Sequence, residues 1–184
     1  MLFRSELVSE GHAFTEGPAV SATGELFFSD LEGSKIHRVD SEGKTSVFVA
    51  DSKGTNGLAF GPDGRLFGAQ RDGNRVVAWT PDGKIKVIAD KIRPNDLVVG
   101  YNGNLYVTEP RKRTVWLIRS DGSRLAVDND AKGCNGVVLS PDQSLLYVTD
   151  YGGRFVTSYQ IREDGTLAHK QPYYYLHQIG RAHV

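Results

Sequence analysis

The strongest constraint in this chain is a period. Segments EGPAVSATGELFFSD from Glu16, NGLAFGPDGRLFGAQ from Asn56, NDLVVGYNGNLYVTE from Asn95 and NGVVLSPDQSLLYVTD from Asn135 align with one another, and their first residues stand 40, 39 and 40 positions apart. A fixed spacing near forty marks a repeat architecture, in which each unit buries its apolar face on the next.

Inside each unit, strand-length apolar runs alternate with turn signals. The second unit reads GLAF, RLFGAQ, RVVAWT and IKVIAD, separated by GPDG, RDGN and PDGK; the third reads LVV, NLYVTE, TVWLIR and RLAVD. Asp-Gly between runs of this length is hairpin chemistry, so the sequence predicts four antiparallel strands per repeat and no amphipathic helix. Four strands in about forty residues is the grammar of a β-propeller blade. The fold class expected is all-β, a propeller of four-stranded antiparallel blades, with four blades countable and the fourth running through RFVTSYQI and TLAHKQPYY. A fifth blade would begin near residue 175, and an open propeller would leave apolar blade faces prone to aggregation.

The expected boundaries are a partial propeller over 6–178, flanked by two ends that fit no element. MLFRS (1–5) and IGRAHV (179–184) resemble translated sequencing-adapter DNA, and the expectation is that both are non-native and that the chain is an internal fragment. Lys plus Arg and Asp plus Glu both number 22, so nothing argues for a nucleic-acid or anionic-membrane partner. No apolar run reaches the roughly twenty residues that span a bilayer, so the chain reads as soluble, with its compartment open. A neutral small molecule is the partner expected. The single cysteine, Cys134, excludes an internal disulfide.

Each repeat goes out along its first strand and returns along its second, ending at Asp30, Gln70, Glu109 or Asp150. Start and finish then share one end of the blade, and Glu16, Asn56, Asn95 and Asn135 should converge at one mouth of the channel. A carboxylate with several amide carbonyls is a hard oxygen set, suited to a divalent cation. The same Asn-Gly and Asn-Asp pairs are also turn formers, because Asn tolerates left-handed backbone and caps neighbouring amides. Glu16, a poor turn former in the same register, is what that alternative leaves unexplained.

The ordered set EGPAV, KGTNGLAFGPDGRL, RPNDLVV, GNLYVTEP and CNGVVLSPDQSLLYVTD, spanning residues 10–178, closely resembles the SMP-30/gluconolactonase family of six-bladed propeller lactonases. The resemblance implies a cation at the channel centre, Ca²⁺ first with Mg²⁺, Mn²⁺ or Zn²⁺ as alternatives, held by Glu16, Asn95 and Asn135. The family's further aspartate ligand, also a candidate general base, belongs to a blade after the fourth and has no counterpart here, so the catalytic residue is unassigned. Arg93, two positions before Asn95, matches a substrate contact. Glu109 departs from the usual TDP as TEP, and either contacts substrate or pairs with Arg111 or Arg113. Asn56 is assigned to the pocket lining. The activity implied is hydrolysis of a sugar lactone to an aldonic acid. Alternatives are a non-catalytic calcium-binding or protein-interaction propeller, and a metal-dependent esterase or phosphotriesterase of the same fold. The five histidines, His12, His37, His169, His177 and His183, show no ligand spacing along the chain and are expected to be structural, as is Cys134.

Overall fold

The computed structural model describes residues 6–175. The two ends read as adapter-derived, 1–5 and 179–184, lie outside the described residues. Four antiparallel sheets of four strands follow one another in chain order. Blade 1 holds β1 (Thr15–Val20), β2 (Leu26–Asp30), β3 (Lys35–Val39) and β4 (Thr45–Val49). Blade 2 holds β5 (Thr55–Phe60), β6 (Leu66–Gln70), β7 (Arg75–Trp79) and β8 (Ile85–Asp90). Blade 3 comprises β9 (Leu97–Val99), β10 (Leu105–Glu109), β11 (Thr114–Ile118) and β12 (Arg124–Asp128), with a 3₁₀ turn at Pro110–Lys112. Blade 4 comprises β13 (Cys134–Leu139), β14 (Leu145–Asp150), β15 (Phe155–Ile161) and β16 (Leu167–Tyr175). The strands expected from the apolar runs are the strands observed. Residue 175, where a fifth blade was expected to begin, is still in β16.

The turns explain the regularity. Between the second and third strands, Ser34, Asn74, Arg113 and Arg154 each take a left-handed φ of 52°, 51°, 55° and 62°. In three blades the carbonyl of that residue accepts an N–H from the linker to the next blade: Ser52 on Ser34 at 2.7 Å, Ile92 on Asn74 at 3.2 Å and Ala131 on Arg113 at 2.8 Å. Each linker is thereby pinned to the mouth of its own blade.

Alternation along the strands fills the space between blades on both sides. Phe27, Ile36, Leu58, Leu66, Val77 and Trp79 pack between blades 1 and 2. Ala69, Val76, Leu97, Leu105, Val107 and Ile118 pack between blades 2 and 3. On β10 the next residue over, Tyr106, turns the other way and joins Leu117, Cys134, Leu146 and Tyr159 between blades 3 and 4. The inner strands β1, β5, β9 and β13 are therefore successive neighbours. As expected for uncovered blade faces, Val138, Phe155 and Tyr173 on blade 4 are exposed. No helix among the described residues is long and apolar enough to cross a membrane.

Candidate functional site

The hairpin register puts both ends of each first hairpin at one mouth: Thr15 pairs with Asp30, Thr55 with Gln70 and Cys134 with Asp150. Just inside that mouth the ladder breaks in the same place in three blades, between Glu16 and Ala19, Thr55 and Leu58, and Cys134 and Val137. In blade 3 Asn95 stands ahead of β9, its N–H donating to the Thr108 carbonyl at 2.8 Å. A bulge leaves residues unpaired and re-aims their side chains, and here each break flanks a motif residue.

A ring of polar contacts ties these positions together. The Ser29 hydroxyl lies 3.0 Å from the Glu16 carbonyl oxygen and 2.7 Å from that of Asn56. The Gly57 N–H donates to the Asn95 carbonyl at 3.0 Å. The Thr108 hydroxyl donates to the Asn135 carbonyl at 2.6 Å. Glu16, Asn56, Asn95 and Asn135 thus follow one another around a single axis. Sequence reasoning missed the hydroxyls that do this, although Ser29, Thr108 and Thr149 all stand one residue before the end of a second strand. Ala69 holds that place in blade 2.

Asn56, Asn95 and Asn135 differ from the turn asparagines of this chain in two respects. None of Asn56, Asn95 and Asn135 is among the residues of positive φ, whereas Asn74 is, at 51°. The turn asparagines of this chain bond backbone: Asn74 Nδ2 donates to the Asp72 carbonyl at 3.3 Å, and Asn102 Oδ1 accepts the Asn104 N–H at 3.0 Å. The side chains of Glu16, Asn56, Asn95 and Asn135 make no hydrogen bond among the described residues. An amide left unbonded in a folded protein is free for another partner.

Asp96, unassigned by the sequence reading, belongs to this ring. Its Oδ2 accepts the Val137 N–H at 3.0 Å and its Oδ1 the Leu97 N–H at 2.8 Å, so it bridges blades 3 and 4. Burial pushes its carboxyl up to about 6, against the pull of those two N–H groups, and the negative charge of Glu16 adds to the rise. A carboxylate raised in this way ionises more readily when positive charge comes near it. The signal in the sequence was the dipeptide itself, Asn95-Asp96, where the second and fourth repeats have Asn-Gly. Hollows of about 630 Å³ and 590 Å³ border Glu16 and Asp96 respectively, the first over Leu26 and Phe28 on blade 1 and the second over the uncovered face of blade 4 at Val138 and Tyr173.

Arg93 is half-buried at the same mouth, with its guanidinium 3.4 Å from Asp72, a long contact that leaves most of its donors free. Glu109 is 2% exposed. Its Oε1 accepts the Arg93 backbone N–H at 3.0 Å and its Oε2 the Trp116 indole N–H at 2.9 Å. Its ion-pair partner is Lys112 at 3.2 Å, in place of the Arg111 or Arg113 expected, because the 3₁₀ turn at Pro110–Lys112 brings the third residue back over the carboxylate.

The histidines, expected to be structural from their lack of ligand spacing along the chain, include two that meet in space. His12 and His37, 25 positions apart in sequence, meet Asp30 with their potential ligand atoms within 4.8 Å of one another. His177 and His183 lie outside the described residues. Cys134 is structural: burial pushes its thiol up to about 11, and Sγ lies 3.7 Å from the Thr114 carbonyl oxygen.

Comparison with known proteins follows the same lines. Residues 14–180 match the SMP-30/gluconolactonase/LRE-like region. The gluconolactonase of Zymomonas mobilis subsp. mobilis is 24% identical over 181 residues, covering 79% of this chain and 51% of that protein. This chain therefore spans about half the length of the curated relative it matches. A gluconolactonase structure from Xanthomonas campestris superposes with a TM-score of 0.82 at 24% identity, over 90% of this chain and 64% of the other. Virginiamycin B lyase from Staphylococcus aureus superposes with 0.70 at 22% identity, over 84% and 54%. At such identities the structural likeness establishes the propeller alone, and the family assignment rests on the sequence match over most of the chain. The chain belongs to the SMP-30/gluconolactonase/LRE-like family.

Proposed function

We propose that this chain carries the cation-binding and lactone-binding mouth of a metal-dependent sugar lactonase. The observation that carries the reading is the ring itself: one carboxylate and three amide side chains on successive blades, three of them beside matching breaks in the ladder and all four left unbonded among the described residues. Glu16, Asn95 and Asn135 would hold the ion. Their donors are all oxygen, which favours Ca²⁺ over a softer metal. When bound, such an ion polarises the lactone carbonyl and stabilises the charge that develops on its oxygen.

The rest falls to the chain's own side chains. Arg93 offers a planar fork of donors to the sugar hydroxyls or ring oxygen. Asn56, buried at the mouth, adds an amide to the pocket wall. Glu109 works through Arg93, whose backbone it fixes. Among the described residues none is assigned as general base.

The test is calorimetric calcium titration of this chain and of a version extended through further blades, with gluconolactone opening followed in the extended protein. Glu16→Ala should weaken calcium binding by at least about tenfold, since it removes the single charged donor among the proposed ligands. Equal calcium binding by the variant, or lactone turnover insensitive to chelator, would refute the assignment. A non-catalytic propeller would bind calcium equally well and open no lactone, so the turnover arm separates the two.

Asp96 provides a second check. Below about pH 6 its carboxyl is protonated, and a cation beside Glu16 favours the charged form and drives the proton off. Calcium binding at pH 6 should therefore release roughly half a proton, and at pH 8 none from this group. Titrations in two buffers of different protonation enthalpy measure the release. Identical apparent enthalpies at pH 6 would place Asp96 outside the field of the ion.

A further inference from the structure

We propose that His12, Asp30 and His37 form a second cation site, for a divalent transition-metal ion of the Zn²⁺ class, on blade 1 and distinct from the oxygen ring. The inference does not depend on the lactonase reading. Two imidazoles and one carboxylate are the donor set of many three-ligand zinc and iron centres, and nitrogen donors select against calcium. Their ligand atoms lie within 4.8 Å of one another, and the His12 and His37 ring centroids are 4.5 Å apart. Ligands around a tetrahedral ion at about 2.0–2.1 Å sit roughly 3.3 Å from each other, so the set must contract by about 1.5 Å at most.

The surroundings are those of a supported site. His37 is 8% exposed, and its Nε2 is wholly removed from solvent without a hydrogen-bond partner among the described residues. An unbonded ring nitrogen at that depth costs free energy unless something occupies it. Asp30, 5% exposed, is oriented by three backbone donors: Ala13 N–H at 3.2 Å on Oδ2, and Phe14 N–H at 3.0 Å and Gly33 N–H at 3.1 Å on Oδ1. Oδ2 therefore keeps a lone pair. His12 Nε2 is 2.7 Å from the Ser9 hydroxyl, an outer contact that sets the ring and leaves Nδ1 for the ion.

His12 also lines the cavity of about 630 Å³, which provides an access path and room for a water as fourth ligand.

Co²⁺ titration of the metal-free chain, read by visible d–d absorption and by competition with Zn²⁺, tests the site. The expected result is one ion per chain, displaced by Zn²⁺, with binding weakened at least about tenfold in His12→Gln and in His37→Ala and unchanged in Glu16→Ala. His12 is only partly buried, so His12→Gln keeps the test decisive if His37→Ala, which removes a ring stacked on Phe28 at 5.2 Å, does not fold. Circular dichroism establishes which variants count. Absence of Co²⁺ and Zn²⁺ binding would reduce the cluster to a ring stack. Binding lost in Glu16→Ala and retained in His12→Gln would assign the ion to the channel mouth, and either outcome overturns the proposal.

Discussion

Gly17→Ala is expected to destabilise this protein by more than about 4 kcal/mol, a loss comparable to the whole stability of many domains. Gly17 has φ +50°, and a Cβ there would stand 2.4 Å from the Asn56 carbonyl oxygen, 2.8 Å from the Leu58 nitrogen and 2.9 Å from Gly57 Cα. All three are backbone atoms of the next inner strand, so no rotamer change relieves the overlap and blades 1 and 2 must separate. The left-handed backbone alone accounts for only about 1–2 kcal/mol. Gly24 isolates that part: its φ is +85° and nothing lies within 4 Å of its Cβ position, so Gly24→Ala should cost about 1 kcal/mol. Thermal unfolding reads the difference, at roughly 2–4 °C per kcal/mol for a chain of this size. Equal melting shifts for the two variants would show that the inner strands are not in fixed contact at Gly17.

The second large effect expected is at Glu109. Removing its side chain leaves the Trp116 indole N–H and the Arg93 backbone N–H without acceptors and opens a cavity in a site that is 2% exposed. Each orphaned donor costs about 1–3 kcal/mol, and truncating a buried partner in such a network typically costs about 3–5 kcal/mol in all. The Lys112 pair adds little, because the ammonium is more than half exposed. Glu109→Gln retains one carbonyl acceptor and should fall between wild type and Glu109→Ala. Urea unfolding followed by tryptophan fluorescence measures the series. A Glu109→Ala protein within about 1 kcal/mol of wild type would mean that the loop carrying Arg93 is held by something else.

These two residues also separate what could be read from the chain from what could not. The strands of LYVTE and TVWLI, the turns after them and the forty-residue step were legible because they rest on local rules: alternation at period two, and Gly or Asp-Gly at tight turns. Glu109 was legible as a residue at the mouth, yet its choice of Lys112, Trp116 and the Arg93 N–H depends on a 3₁₀ turn and a neighbouring linker. The glycine in each Asn-Gly pair looked like turn chemistry. In space Gly57 is needed for close approach, since a Cβ there would lie 2.0 Å from Asp96 Oδ1. At Gly136 the same test gives 3.3 Å to the Thr149 hydroxyl and 3.8 Å to Asp96, a far looser fit.

The sequence by itself determined the blade, its hairpin register and the four positions that share one mouth, because a repeat copies local geometry at every step. Only the tertiary structure decided that Ser29 and Thr108 bridge neighbouring inner strands, that Asp96 reaches across to the Val137 N–H of the next blade, and that His12 and His37 meet across Asp30. Those contacts join residues of different strands or different blades, and the distance between such residues is set by how closely the sheets pack rather than by spacing along the chain.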